Sequence, residues 1–82
     1  MKIAIVGTGY VGLSIAVLLA RRHPVVALDI APERVEQVNR RQSPIDDPDI
    51  ERFLRDEPPS LRATLDAHDA YAGAEFVVVA TP

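Results

Sequence analysis

The sequence predicts an α/β fold with a parallel sheet of about four strands and helices on both faces of the sheet. Short apolar runs, typical of strands buried on both faces, alternate with helix-like segments along the 82 residues. A glycine-rich turn joins the first apolar run directly to the first helix. Because strands that alternate with helices are joined by right-handed crossovers, the predicted order β-α-β-α-α-β-α-β gives one parallel sheet.

The first strand and helix come from the clearest pattern in the chain. Residues 3–6 form a continuous apolar run, and residues 10–22 are predicted to form a helix. This helix is apolar nearly all round, so we expect it to be largely buried. Basic residues at positions 21–23 suit the negative end of the helix dipole, and Pro24 prevents the helix from continuing.

The second strand and helix follow directly. Residues 25–28 are predicted to form a buried strand that ends at Asp29. Pro32 suits the first turn of a helix that runs to about Arg41, and Val35 and Val38 form its inward stripe.

The remaining elements are shorter. Asp47 or Asp49 can cap a short helix that ends at Leu54. A strand is expected over residues 61–65, and a helix of one to two turns runs from an Asp66 cap to residue 71. The last strand, residues 75–80, contains three consecutive valines.

Composition and charge are ordinary for a soluble globular protein. The net charge of −3 gives no support for nucleic-acid binding. The chain has no cysteine, which excludes disulfides, thiolate metal sites and a cysteine nucleophile within it and is compatible with a cytoplasmic location. Glycines interrupt the apolar N-terminal segment and Arg21-Arg22 follows it, so we expect neither a secretory signal nor a membrane span.

The glycine-rich turn carries the pattern G-x-G-x-x-G, formed by Gly7, Gly9 and Gly12. Gly7 permits the tight turn, Gly9 lets a pyrophosphate approach the backbone, and Gly12 lets the helix pack closely on the sheet. The N–H groups around Tyr10 and Val11 carry the positive end of the helix dipole toward phosphate charge. Strand, turn and helix together predict a Rossmann-like dinucleotide site.

Asp29 lies 20 residues after Gly9, at the end of the second predicted strand. A carboxylate there can accept hydrogen bonds from the adenosine ribose hydroxyls, and it would repel the 2′-phosphate of NADP, so NAD is the predicted cofactor. Arg34 has two interpretations that the residues leave open, a contact with a phosphate or sugar edge or a solvated helix residue.

Other polar residues suggest no further chemistry. Asp46, Asp47 and Asp49 are better explained as caps and a solvated face than as a metal site. Ser14 lacks the His/Asp partners that nucleophilic catalysis requires. We therefore predict no metal ligand and no catalytic residue in this chain.

Four segments resemble the N-terminal part of the UDP-glucose 6-dehydrogenases, within the family of nucleotide-sugar dehydrogenases that oxidise a sugar C6 alcohol to a carboxylate. The segments are KIAIVGTGYVGLS at 2–14, ALDIAPERVEQVN at 27–39, SPIDDPDIERFL at 43–54 and VVVATP at 77–82. The resemblance implies conversion of UDP-glucose and two NAD to UDP-glucuronate by a cytoplasmic homodimer. It implies NAD contacts at Gly7, Gly9, Tyr10, Val11, Gly12, Asp29, Arg34 and Thr81.

The resemblance also sets the expected domain organisation. Residues 1–82 are expected to be a fragment of the N-terminal NAD-binding domain, the adenosine-binding half of a doubly wound sheet, without substrate and catalytic domains. The family's cysteine nucleophile lies beyond residue 82, so we expect weak binding of the adenosine-pyrophosphate end of NAD and no catalysis. An exposed apolar surface near Val77 and Val79 is expected to favour self-association.

Three alternatives stay open. The first is a sister specificity, GDP-mannose or UDP-N-acetylmannosamine dehydrogenase, which the segments do not exclude because the family recognises the sugar outside these residues. The chain could instead be a stand-alone nucleotide-binding module that senses NAD or AMP. It could also be a folding fragment with no measurable ligand affinity.

Overall fold

A computed structural model describes residues 1–44, 46–56 and 60–80 of the chain. Strands and helices alternate in the predicted order. The elements are β1 Lys2–Val6, α1 Tyr10–Leu19, β2 Val25–Leu28, α2 Pro32–Asn39, α3 Pro48–Asp56, β3 Leu61–Thr64, α4 Ala67–Tyr71 and β4 Ala74–Val79.

The four strands form one parallel sheet in the order β3-β2-β1-β4. β1 and β2 pair in register, with Ile5 opposite Ala27 and Val6 opposite Leu28. This register brings the carboxyl ends of the two central strands level, so the turn after β1 lies beside the residue that follows β2. The predicted Rossmann-like sheet is confirmed.

Successive side chains of β1 point to opposite faces of the sheet, and each face contacts helices. Ile3 and Ile5 are buried in a core cluster that includes residues of α1 and α3. Lys2 points to the opposite face, where its Nζ donates to backbone oxygens of Asp69 and Ala72 in and just after α4. The main core therefore lies between the sheet and a layer formed by α1, α2 and α3.

α1 differs from its prediction in length and in burial. It ends at Leu19, because the N–H groups of Arg22 and His23 both donate to the Leu19 carbonyl and tighten the last turn. It is also not buried all round, since Val11 and Leu18 are about 60% exposed, at 60% and 63%. The sheet and α3 cover one side of α1 and leave the other side open.

α2 ends at Asn39, two residues before the predicted end. Arg41 adopts a left-handed conformation with φ 63°, and the N–H of Gln42 donates to the carbonyl of Gln37 at 2.8 Å. This arrangement is a Schellman motif, which stops the helix. The predicted inward residues are confirmed, since Val38 is fully buried and Val35 packs against the core.

Both later helices begin at a predicted aspartate cap. Asp47 Oδ1 accepts from the N–H groups of Asp49 and Ile50 at 2.9 and 3.2 Å, which settles the open choice of cap for α3 in favour of Asp47. Asp66 accepts from the N–H groups of residues 68 and 69 and caps α4.

β4 lies at one edge of the sheet and leaves apolar side chains exposed. Val77 and Val79 are 48% and 67% exposed, which confirms the expected apolar surface at these positions. Across residues 1–44, 46–56 and 60–80, the helices are all too short to cross a lipid bilayer.

Candidate functional site

A cavity of about 410 Å³ opens at the carboxyl ends of the central strands. In a parallel α/β sheet, this edge is where ligands bind. The lining residues come from the end of β1, the glycine-rich turn, the end of β2 and the residues after it, the start of α2 and the residue that follows β4. They are Val6, Gly7, Thr8, Gly9, Leu28, Asp29, Ile30, Arg34 and Ala80.

The glycine-rich turn is tied to β2 at its first residue. Gly7 has φ 102°, a conformation that side chains rarely allow, and its N–H donates to the Leu28 carbonyl at 2.8 Å. A Cβ built on Gly12 would lie 2.1 Å from the Gly7 carbonyl oxygen, whereas a Cβ on Gly9 would meet nothing within 4 Å. Gly12 is therefore required for packing, while Gly9 leaves open space beside the backbone.

The N terminus of α1 faces this open space without a side-chain cap. Gly9 precedes the helix in an extended conformation, and within the described residues no side chain accepts a hydrogen bond from its first turn. Tyr10 and Val11, the first two helical residues, are exposed. Because the first N–H groups of a helix lack intrahelical partners and carry the positive dipole end, this turn can receive an anion.

Asp29 is the buried carboxylate of the site. It is 8% exposed and lines the cavity. Its Oδ2 accepts from both the backbone N–H (2.9 Å) and the hydroxyl of Thr8, and its Oδ1 accepts from the N–H of Ala31 at 2.9 Å. The carboxylate therefore connects the glycine-rich turn to the start of α2.

The electrostatics keep this carboxylate ionised. Burial raises the pKa of Asp29, but the hydrogen bonds from Thr8 and Ala31 and the charge of Arg34 offset that effect and leave the pKa below its usual value. The Arg34 guanidinium lies 4.0 Å from Oδ2, with about half of its side chain exposed. Its position on the cavity wall favours the interpretation of Arg34 as a site residue.

The structure brings only part of the predicted set into the cavity. Gly7, Gly9, Asp29 and Arg34 line it. The other three described candidates, Tyr10, Val11 and Gly12, lie on the first turn of α1 beside the lining. Thr81 lies outside the described residues.

Five lining residues were not predicted as site residues, and Thr8 and Ile30 are the two whose chemistry bears most on binding; the others are Val6, Leu28 and Ala80. Thr8 is fully buried and binds Asp29, although its position in the motif accepts any residue. Its place in the turn after β1 could have indicated it, because parallel strands end at the same edge. Ile30 lines the cavity and is 96% exposed, which offers an apolar surface next to the carboxylate.

This arrangement has the chemistry of a dinucleotide site. An ionised carboxylate can accept sugar hydroxyls, an uncapped helix N terminus with a bare glycine can receive phosphate, and an exposed apolar side chain can cover a flat ring. The described ranges contain no cluster of three or more His, Asp or Glu side chains able to hold a metal ion.

Comparisons with known proteins agree with this chemistry. Residues 1–82 match the profile of the UDP-glucose/GDP-mannose dehydrogenase family, NAD binding domain. The chain is 49% identical over 82 residues to a UDP-glucose 6-dehydrogenase of Streptococcus pneumoniae, and it covers 21% of that protein. It is 44% identical over 84 aligned residues to a UDP-glucose 6-dehydrogenase of Campylobacter jejuni, again covering 21%.

A solved structure matches the fold over the whole chain. It is a ternary complex of GDP-mannose dehydrogenase from Pseudomonas aeruginosa, with a TM-score of 0.92 and 29% identity over 100% of this chain and 20% of that one. The chain thus spans about a fifth of the length of the relatives it matches. The chain belongs to the UDP-glucose/GDP-mannose dehydrogenase family, whose NAD-binding domain it matches, and NAD is its cofactor.

Proposed function

We propose that residues 1–82 bind the adenosine and pyrophosphate part of NAD as the N-terminal portion of a UDP-glucose 6-dehydrogenase. The observation that carries this proposal is the ionised Asp29 carboxylate, which lies on the wall of a cavity beside the bare backbone of Gly9. The 49% identity to a UDP-glucose 6-dehydrogenase supports this substrate over the others.

Each part of the cofactor has a matching group in this proposal. The pyrophosphate lies against Gly9 and the N–H groups of Tyr10 and Val11, at the positive end of the α1 dipole. The adenosine ribose donates to Asp29, and the guanidinium of Arg34 binds at the same sugar edge. Gly7 and Gly12 shape the turn, and Thr81 follows β4 near the cofactor by family resemblance.

Within the part of the chain that the structure describes, the proposed contacts involve only the adenosine and pyrophosphate end of NAD. When bound, NAD supplies the hydride acceptor for oxidation of a sugar alcohol. The 82 residues contain no cysteine, whereas the family resemblance implies a cysteine nucleophile. We therefore infer that this chain binds NAD weakly and does not turn over a nucleotide sugar by itself, and that the whole protein is a cytoplasmic homodimer.

The binding proposal is tested by titrating the chain with NAD, AMP and NADP, by calorimetry or by NMR. We expect weak binding of NAD and AMP and poorer binding of NADP, because the carboxylate repels a 2′-phosphate. Asp29→Ala and Gly9→Ala should both weaken binding, the first by removing the ribose acceptor and the second by filling the phosphate approach. No binding of NAD or AMP would make the chain a folding fragment only.

The alternative functions have distinct outcomes. Tight and selective binding of NAD would support a stand-alone nucleotide-binding module. Turnover of UDP-glucose by the chain alone would refute the inference of inactivity. GDP-mannose is the second candidate substrate, favoured by the solved GDP-mannose dehydrogenase with the same fold, and UDP-N-acetylmannosamine is a third. Assays of the whole protein with these three nucleotide sugars separate the candidates.

A further inference from the structure

Thr8 occupies the first variable position of the glycine-rich turn, and the proposed NAD contacts give it no role. It is fully buried, at 0% exposure, although it lies in a turn beside a cavity. Both of its donors, the backbone N–H and the hydroxyl, go to a single oxygen of Asp29, which lies 21 positions further along the chain. Thr8 is thus joined to the carboxylate rather than to solvent.

The hydrogen bonds to Asp29 are divided unequally between its two oxygens. Among residues 1–44, 46–56 and 60–80, Oδ2 accepts two of them, both from Thr8, whereas Oδ1 accepts one, from the N–H of Ala31. An ionised carboxylate has about four acceptor sites, two on each oxygen. Thr8 therefore fills the hydrogen-bonding capacity of Oδ2, which the Arg34 guanidinium also approaches at 4.0 Å, whereas Oδ1 keeps one acceptor site.

We propose that Thr8 is the positioning residue for Asp29 and that its hydroxyl fixes the carboxylate so that Oδ1 faces the cavity for one ribose hydroxyl. This inference rests on the proposed NAD site. Rotation of the carboxylate would break the bonds from both Thr8 and Ala31, so the acceptor is set before a ligand arrives. Such preorganisation lowers the entropy cost of binding.

The charge around Asp29 favours the same role. Burial raises the pKa of Asp29, and the Thr8 hydroxyl is the first of the groups that lower it below its usual value, followed by the two N–H donors and Arg34. In the described part of the chain, Arg34 on α2 is the charged side chain that faces Asp29. The adjacent ends of β1 and β3 contribute Val6 and Thr64, which do not titrate.

The test compares Thr8→Val, which keeps the branched shape and loses the hydroxyl, with Thr8→Ser, which keeps the hydroxyl. We expect NAD affinity to fall roughly three- to tenfold in Thr8→Val, the scale of one ordinary hydrogen bond, and to return to about the original value in Thr8→Ser. The low-pH midpoint of NAD binding should move to higher pH in Thr8→Val. A purely structural role would lower stability without moving this midpoint.

A ligand-free measurement separates this inference from the proposed function. The carboxyl carbon of Asp29, followed by NMR during an acid titration, should show a higher pKa in Thr8→Val than in the original chain and in Thr8→Ser. The Thr8 amide of the original chain should titrate with the same midpoint, which tests the pair even if Thr8→Val fails to fold. Equal pKa values in all three chains, or a silent Thr8 amide, would overturn the role of Thr8. Failure of the original chain to bind NAD would instead overturn the proposed function.

Discussion

At the scale of single residues, the two glycines at the start of α1 are needed for different reasons. Gly9 precedes the helix, and Gly12 lies in its first turn. A Cβ on Gly12 would meet the backbone of Gly7 at 2.1 Å, and it would also come within 3.3 Å of the Ala80 side chain. A Cβ on Gly9 would project into open space. Substitution by alanine therefore tests packing at Gly12 and ligand binding at Gly9.

We expect Gly12→Ala to lower the free energy of unfolding by about 1–3 kcal/mol, because the carbonyl of Gly7 belongs to a constrained turn and must move. Gly9→Ala is the matched control and should change stability by no more than about 0.5 kcal/mol, the range of exposed substitutions. Urea unfolding at pH 7 measures both. Equal losses in the two variants would show that the turn tolerates no side chain at either position.

How much of the site follows from the sequence can be seen at Asp29 and Thr8. Asp29 was predictable because a carboxylate at the end of a second strand, 20 residues after Gly9, has a known physical role. The bond from Thr8 was not predicted because it joins residues 21 positions apart through the pairing of β1 with β2. A local pattern specifies the turn, and the sheet register decides which groups meet.

At the scale of elements, a polar side chain of α2 forms hydrogen bonds with backbone groups on the β3 edge of the sheet. β3 is an edge strand, and the side chain of Asn39, at the end of α2, pairs with the backbone of Ala63. Its Nδ2 donates to the Ala63 carbonyl at 2.9 Å, and its Oδ1 accepts from the Ala63 N–H at 2.8 Å. Asn39 thus covers part of an edge that would otherwise invite another strand.

Asn39→Ala should lower the free energy of unfolding by roughly 1–3 kcal/mol, since two hydrogen bonds are lost at a partly buried edge. Asn39→Asp is the informative control because it keeps the acceptor for the Ala63 N–H but places a carboxylate beside the Ala63 carbonyl. Urea unfolding of the three chains measures the difference. An unchanged midpoint in Asn39→Ala would mean that water replaces both bonds at no cost.

An ion pair between β3 and α4 is a second contact between elements, and its contribution to stability depends on pH. Arg62 on β3 donates two hydrogen bonds to Asp69 on α4, at 2.6 and 2.8 Å. These bonds are the main cause that lowers the pKa of Asp69 from 3.8 to about 2. Because the folded pKa lies below the unfolded one, the pair stabilises the fold above about pH 4, and this contribution is lost as the pH falls toward 2.

Arg62→Gln should therefore raise the pKa of Asp69 toward 3.8, measured from the carboxyl carbon by NMR. Arg40→Gln is the control, because Arg40 pairs with Glu36 on α2 instead and its removal should leave the pKa of Asp69 at about 2. The loss of stability between pH 4 and 2 should be smaller in Arg62→Gln than in the original chain. An unchanged pKa of Asp69 in Arg62→Gln would contradict the assigned cause.

The elements also show where sequence prediction reaches its limit. Order and type of all eight elements followed from apolar runs, prolines and caps, because these are local determinants. The burial of α1 was wrong at Val11 and Leu18, since apolar periodicity cannot tell how many neighbours will cover a helix. The early end of α2 arises at Arg41, whose left-handed conformation is usually supplied by glycine or asparagine.

At the scale of the whole molecule, the two edges of the sheet differ in the described residues: Asn39 covers part of β3, whereas β4 exposes apolar side chains. The register places Phe76 beside Ile3 and Val77 beside Ala4, so the exposed residues of β4 lie on both faces of its edge. Phe76, Val77 and Val79 are each about half exposed or more. Adjacent exposed apolar side chains on an edge strand favour pairing with another chain.

We expect the 82-residue chain to self-associate through β4, with a sedimentation profile that shifts to larger species as concentration rises. Val79→Lys should shift the profile toward monomer, because a charged side chain on an edge strand opposes edge-to-edge pairing. Leu18→Lys is the matched control because it adds the same charge on α1, away from β4. Leu18 is 63% exposed, close to the 67% of Val79. An original chain that stays monomeric at high concentration, or equal effects of both lysines, would rule out β4 as the associating surface.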